Sequence, residues 1–109
     1  MKRIALAAAL VTALAVALPA LAATPTYKGT VGPGFTISMA SKPTKAGTAK
    51  LVIADKASDH NFHLTGPGVN VKTSVAAVGV KTFTVNLKKG TYKFVCDPHL
   101  FMKGSFTVK

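Results

Sequence analysis

The chain has 109 residues, in which 14 lysine and arginine residues face only 3 acidic ones, for a formal net charge of +11 at pH 7. A single cysteine excludes a disulfide framework within the chain. The lysines are scattered, with no basic run of interleaved arginines, which argues against base-specific recognition of nucleic acid. Two interpretations of this charge remain open. The lysines could simply keep a small protein soluble, or they could attract an acidic partner or an anionic membrane.

Residues 1–22 are predicted to be a secretory signal peptide. A basic pair follows the first methionine, an alanine-rich apolar run comes next, and small residues surround the cleavage site. We expect cleavage after Ala22, with Ala23 as the second choice. The alternative is an uncleaved anchor, because the twenty residues 4–23 are just long enough to span a bilayer. Cleavage would leave residues 23–109 as one small periplasmic or secreted domain.

The first half of this domain predicts three short strands. Residues 35–39 alternate apolar and polar side chains, the period-two pattern of a half-buried strand, with Phe35 on the buried face. Residues 49–54 form an apolar run that is typical of a strand buried on both faces. Residues 60–64 alternate again, and His60 lies on their apolar face.

The second half predicts three more strands. Residues 81–87 alternate most clearly, residues 91–96 return with aromatic side chains on one face, and residues 104–109 close the chain. Residues 74–80 are the one soft candidate for a helix. Many short strands with glycine and proline turns indicate an all-β domain, either a β-sandwich or a barrel.

A thiol, an imidazole and a thioether occur within seven residues near the C-terminus, at Cys96, His99 and Met102. With one further histidine, these are the ligands of a blue-copper electron-transfer site. Cys96 ends a predicted strand, and Pro98 cannot continue it, so the chain is expected to turn and bring His99 back beside the thiol. His60 is the natural fourth ligand, from a neighbouring strand. Sulfur and imidazole ligands favour copper over calcium or magnesium.

Two polar residues next to His60 have different expected roles. Asn61 points away from the His60 face and is expected to hydrogen-bond the ligand loop, which would fix its geometry. His63 also faces away from His60 and is expected to be a surface residue.

The motifs His60-Asn61-Phe62 and Cys96-x-x-His99 resemble those of the cupredoxins, the small blue copper proteins that include plastocyanin and amicyanin. The resemblance covers most of residues 30–109, and the two residues between His99 and Met102 are most similar to the spacing in amicyanin. It implies a cupredoxin-like Greek-key β-sandwich that binds one copper ion, which cycles between Cu(I) and Cu(II). The ligands it implies are His60, Cys96, His99 and, axially, Met102.

The sequence departs from the family pattern at Asp97, where a small hydroxyl residue often follows the cysteine. A carboxylate beside the thiolate should favour Cu(II) and lower the reduction potential. The orientation of this carboxylate decides how strongly it acts.

The resemblance also implies a function, the shuttling of single electrons between redox partner proteins, without enzymatic activity. The exposed edge of His99 would be the exit for the electron, and Leu100 and Phe101 would form an apolar patch around it. We expect a monomer that suits partners with acidic docking surfaces, binds no nucleic acid and is not inserted in a membrane after signal removal. Two alternatives remain, a copper carrier or copper-resistance protein with the same ion, and an enzyme with Cys96 as nucleophile and His99 as base.

Overall fold

The structure is a computed structural model that describes residues 8–12 and 23–109. Apart from residues 8–12, the predicted signal peptide lies outside the described residues, so its removal stays a prediction. Within the described ranges, no helix has the length and apolar character needed to cross a membrane.

Two four-stranded sheets make up the described domain, which confirms the predicted all-β sandwich. The first sheet has the strand order β2-β1-β3-β6 and the second has the order β5-β4-β7-β8. Strands β1 and β3 run parallel, and the other paired strands are antiparallel. The strands are β1 (Thr26–Val31), β2 (Ile37–Met39), β3 (Gly47–Asp55), β4 (His63–Gly66), β5 (Val69–Lys72), β6 (Gly79–Leu87), β7 (Gly90–Cys96) and β8 (His99–Val108).

Six of these strands correspond to predicted segments, whereas β1 and β5 were not predicted. In β1 the alternation is interrupted by Gly29, where a Cβ atom would lie only 2.8 Å from Cδ1 of Ile53. Because β1 and β3 approach so closely at this point, the position requires a glycine, and a glycine adds no apolar side chain to the alternating pattern. Strand β5 has only four residues, too few for a clear period. The helix considered over residues 74–80 is wrong, because residues 74–78 form a non-helical connection and residues 79 and 80 already belong to β6.

The run over residues 49–54 was predicted to be buried on both faces, and this is also wrong. Strand β3 alternates, with Leu51 and Ile53 buried and Lys50 exposed, because only one face of its sheet meets the core. The strand predicted from His60 begins later, at His63. His60 therefore lies in the connection between β3 and β4, where it is not constrained by strand alternation.

The core between the sheets fixes the strands that carry the C-terminal motif. Phe62 stacks on Phe94 with ring centroids 5.3 Å apart, and Tyr92 stacks on Phe106 at 5.1 Å. Gly104 pairs with Phe94 across β7 and β8, and a Cβ atom there would lie 2.2 Å from Cζ of the Phe94 ring. Full burial of a phenylalanine side chain contributes about 1.5–3 kcal/mol, so this packing is a large share of what holds β7 and β8 in place.

The end of β7 that is remote from Cys96 is held by the phenol of Tyr92. Its hydroxyl donates to the carbonyl oxygen of Pro67 at 2.7 Å and accepts the backbone N–H of Lys88 at 2.8 Å. Because the ring is fully buried, these two bonds satisfy a hydroxyl that would otherwise be costly to desolvate.

Candidate metal centre

Two of the predicted ligands lie on either side of one tight turn. Cys96 is the last residue of β7, His99 is the first residue of β8, and the two are paired in the ladder. Asp97 and Pro98 form the two-residue turn between them. The structure thus brings His99 beside Cys96, as the position of the proline predicts, with the imidazole at the start of a strand.

The ladder between β7 and β8 contains a large irregularity next to this turn. Val95 pairs with Lys103, but the next residue, Cys96, pairs with His99. The three residues 100–102 of β8 therefore have no partner in β7. Such a bulge redirects side chains, and here Leu100 and Phe101 are exposed while Met102 is buried.

Three side-chain atoms converge at this end of the sandwich. Sγ of Cys96 lies 3.7 Å from Nδ1 of His60 and 3.7 Å from Nδ1 of His99. The two Nδ1 atoms are 3.1 Å apart. His60 and Cys96 come from segments 36 positions apart, so the fold itself creates the cluster.

These distances fit one metal ion. A first-row metal bound at about 2.0 Å to imidazole nitrogen and about 2.3 Å to thiolate sulfur, as zinc is, separates such ligand atoms by about 3–4 Å. Two neutral imidazoles can share only one proton between facing nitrogens, whereas a metal ion accepts a lone pair from each. A donor set of one thiolate and two imidazoles suits copper and excludes the oxygen-seeking cations.

Met102 lies on the core-facing side of β8, with Phe106 and Val108, and is only 2 % exposed. A weak thioether bond along the axis of a trigonal Cys and His site is the usual arrangement in blue-copper proteins. The axial role of Met102 stays a prediction that its burial supports.

Solvent reaches the three convergent side chains unequally. Cys96 and His60 are buried, and His99 is half-buried. The turn at Gly32, with φ of +67°, makes room for the buried imidazole, because a Cβ atom there would lie 3.2 Å from Cδ2 of His60. Of the three candidate ligands, only His99 therefore offers an edge to the outside.

The side chain of Phe35, which was expected in the core, instead lies against the two histidines. The Phe35 ring centroid lies 5.1 Å from that of His99 and 5.6 Å from that of His60, both in edge arrangements, and the side chain is 62 % exposed. The prediction of a buried Phe35 is wrong because β2 starts only at Ile37. Phe101 lies next to it, with its ring centroid 5.9 Å from that of His99 and 5.7 Å from that of Phe35.

Asn61 connects the His60 segment to the turn between Cys96 and His99. Its Oδ1 accepts the backbone N–H of Asp97 at 2.7 Å, and its Nδ2 donates to Oδ2 of Asp97 at 2.8 Å. The same Nδ2 also donates to the carbonyl oxygen of Thr73 at 3.3 Å. The prediction that Asn61 hydrogen-bonds the ligand loop is confirmed.

His63 was expected to be a surface residue, and in the structure both of its ring nitrogens also have hydrogen-bond partners. Its ring is half-buried, with Nδ1 2.8 Å from Oδ1 of Asp97 and Nε2 2.7 Å from Oδ1 of Asn70. These hydrogen bonds, first to Asp97 and then to Asn70, raise the pKa of His63 above its ordinary value. Burial alone would raise the pKa of Asp97, but hydrogen bonds from His63 and Asn61 outweigh it and hold that pKa below its ordinary value.

A second carboxylate near this end of the sandwich has fewer partners. Asp55, the last residue of β3, is 4 % exposed, and its Oδ1 accepts the backbone N–H of Ala57 at 3.1 Å. Within the described part of the chain, its Oδ2 has no hydrogen-bond partner. Burial raises the pKa of Asp55 above its ordinary value.

Comparison with known proteins places this geometry among copper proteins. A sequence profile described as copper binding proteins of the plastocyanin/azurin family matches residues 26–109. Amicyanin-alpha of Methylorubrum extorquens is 37% identical over 68 residues, which cover 60% of this chain and 57% of that protein. The match thus spans somewhat more than half the length of this relative.

Solved structures show the same fold. Rusticyanin from Thiobacillus ferrooxidans superposes with a TM-score of 0.59 at 24% identity, over 79% of this chain and 77% of that chain. Reduced auracyanin from Roseiflexus castenholzii superposes with a TM-score of 0.57 at 20% identity, over 81% of this chain and 99% of that one. The domain therefore has the cupredoxin fold.

Proposed function

We propose that this chain, which belongs to the plastocyanin/azurin family of copper-binding proteins, is a type 1 blue-copper electron carrier with one copper ion. The observation that carries the proposal is the convergence of one thiol and two imidazoles, with their ligand atoms within 4.8 Å of one another. His60, Cys96 and His99 would be the strong ligands, and Met102 the weak axial one. Bound copper supplies one-electron chemistry between Cu(I) and Cu(II).

The protein's contribution is to hold the ligands still. Cys96 and His99 are tethered to paired strands on both sides of a two-residue turn, and Asn61 bonds that turn to the His60 segment. Since interiors are close-packed, the ligands cannot move far when the charge of the site changes. Fixed ligands favour rapid electron transfer, because little rearrangement accompanies each step.

The half-buried edge of His99 supports its role as the point where electrons leave and enter. Phe35, Leu100 and Phe101 surround this edge, and all three are more than 60 % exposed. We call these three side chains the aromatic flank. A cluster of exposed apolar side chains around one polar edge is the kind of surface that a partner protein covers.

The charge of the surface indicates the chemistry of that partner. Without Lys2 and Arg3, 12 of the 14 basic residues remain, all of them lysines within residues 23–109. Of the three acidic residues, Asp55 is buried, Asp97 is hydrogen-bonded to His63 and Asn61, and the Asp59 side chain is 66 % exposed. Redox partners with acidic rims around an apolar docking site would be attracted over long range.

We propose further that the protein is a monomer and is periplasmic or secreted, which the signal-peptide pattern supports. It is not proposed to be an enzyme. A nucleophilic cysteine must reach its substrate, whereas Cys96 is 0 % exposed. This burial supports a ligand role for the thiolate.

Stepwise addition of Cu(II) to the purified metal-free protein, followed by voltammetry, tests the electron-carrier function. We expect an intense blue absorption that saturates at one equivalent, and a reversible one-electron wave. Colourless protein would contradict the proposal. Rapid transfer of Cu(I) to a chelator without a reversible wave would instead favour a copper carrier, and alkylation of Cys96 in the copper-loaded protein would favour an enzyme.

A further inference from the structure

A line of hydrogen bonds leads from the ligand turn to a histidine that does not belong to the ligand set. The carboxylate of Asp97, directly after Cys96, has both oxygens engaged: Oδ2 accepts from Asn61 and Oδ1 faces Nδ1 of His63 at 2.8 Å. The other nitrogen of His63, Nε2, faces Oδ1 of Asn70 at 2.7 Å. The line therefore joins the turn to β4 and β5, which belong to the same sheet as β7.

The groups around His63 define its charge. A carboxylate and an amide oxygen are both acceptors, and only the imidazolium form of histidine donates from both ring nitrogens. The charged group that opposes this form is Lys72, which is paired with His63 across β4 and β5. The hydrogen bond to Asp97 outweighs Lys72, so the pKa of His63 is raised above its ordinary value.

We propose that His63 is a positioning residue of the copper site, a cation that holds the Asp97 carboxylate in place and offsets its negative charge beside the Cys96 thiolate. This inference rests on the proposed copper site. An unpaired carboxylate at this position would stabilise Cu(II) over Cu(I) and lower the reduction potential. With His63 beside it, the Asp97 carboxylate should lower the reduction potential of the copper less than an unpaired carboxylate would.

The same contact has a geometric consequence. A carboxylate next to the ligand cysteine is itself a potential oxygen ligand for an oxidised metal ion. With one oxygen bonded to Asn61 and the other to His63, both oxygens of the Asp97 carboxylate are already engaged by partners other than the metal ligands. His63 therefore protects both the charge balance and the ligand composition of the site.

The test is a double-mutant cycle on the reduction potential of the copper-loaded protein. His63→Gln keeps a hydrogen-bond donor for Asp97 but removes the charge, so we expect a blue protein with a lower potential. In an Asp97→Asn background there is no carboxylate to offset, and His63→Gln should leave the potential nearly unchanged. An unshifted potential in the first case, or an equal shift in both backgrounds, would overturn the proposal.

A second measurement decides the question even if a variant fails to fold. In the metal-free wild-type protein, nitrogen-15 NMR of the histidine rings should show His63 protonated on both nitrogens at neutral pH. A neutral His63 ring would overturn the inference. A wild-type protein that stays colourless with Cu(II) would refute the copper site itself, whereas a blue wild type with an unshifted His63→Gln variant would refute only the role of His63.

Discussion

The metal centre has two flanks of opposite character. On one side, Asn61, His63, Asn70 and Asp97 form a continuous hydrogen-bonded line, which we call the polar flank. The other is the aromatic flank, in which the Phe35 ring meets both histidines edge-on and all three side chains are mostly exposed. The polar flank is held together by hydrogen bonds within the fold, although Asn70 and Asp97 reach the solvent, whereas the aromatic flank is exposed surface.

This difference separates two tasks that one copper site must serve. Ligand positions and charge are set where polar groups are bonded to one another and partly removed from water. Access for a partner is provided where apolar side chains remain uncovered. Changes in the polar flank should therefore alter stability and potential, and changes in the aromatic flank should alter the kinetics of electron exchange.

The largest expected effect is that of Asn61→Leu in the polar flank. Its side chain is buried and bonds Asp97 twice, so its loss leaves the Asp97 N–H and the Thr73 carbonyl oxygen without their partner. We expect the free energy of unfolding of the metal-free protein to fall by about 2–4 kcal/mol in urea denaturation. The control is Asn86→Leu, an exposed position in β6, which should change stability by less than about 0.5 kcal/mol. Equal effects of the two variants would contradict the structural role of Asn61.

The second prediction concerns Phe101→Ser in the aromatic flank. Removal of an exposed ring 5.9 Å from that of His99 should lower the second-order rate constant for electron exchange with a protein partner about tenfold, which corresponds to about 1.4 kcal/mol. Stability and the blue spectrum should stay nearly unchanged. Val80→Ser, which removes an exposed apolar side chain at the start of β6, in the sheet that does not carry Phe101, is the matched control and should leave the rate unaffected. Stopped-flow mixing measures both, and a similar loss in the control would show that the aromatic flank is not the docking surface.

The third prediction tests the buried carboxylate of Asp55, whose Oδ2 has no hydrogen-bond partner in the described part of the chain. Because the pKa of Asp55 is raised in the folded protein, the unfolded chain releases this proton first, and stability falls as pH rises from the ordinary pKa of the carboxyl to its raised value. Asp55→Asn removes this loss, so at pH 7 we expect stability to increase by about 1 kcal/mol. The gain should disappear at a pH below the ordinary pKa of aspartate. Thermal unfolding at the two pH values measures it, and a destabilised variant at pH 7 would show that Asp55 is bound as a carboxylate.

The smallest expected effect is that of salt on the encounter with an acidic partner. The Debye length is about 10 Å at 0.1 M ionic strength and about 30 Å at 0.01 M, so added salt should slow electron exchange several-fold over this range. The unimolecular properties of the site should not change. An increase of the rate with salt would indicate a basic partner surface.

Much of this molecule could be predicted from its sequence, because period-two alternation and ligand spacing are local signals. The segments of β6 and β7 were clear for that reason, and Cys96 and His99 are only three positions apart. His60 could be named from the residues as the natural fourth ligand, and the resemblance to known copper proteins supported this choice, but no local pattern shows which segments are neighbours in space.

The missed features have a common physical cause. Phe35 continues the alternation of Ile37 and Met39, but it lies outside the sheet because β2 begins only at Ile37. Periodicity alone does not show at which residue a strand starts. His63 lies 34 positions from Asp97, so their contact depends on the pairing of β4 with β7. Both flanks of the site are made by tertiary contacts that no local pattern encodes.

The most direct test of the account is a crystal structure of the copper-loaded protein with anomalous data collected at the copper edge. The account predicts one copper peak within bonding distance of Sγ of Cys96 and of Nδ1 of both His60 and His99, with His63 still bonded to Asp97. A copper ion bound elsewhere, or one that contacts Cys96 without His60, would contradict it.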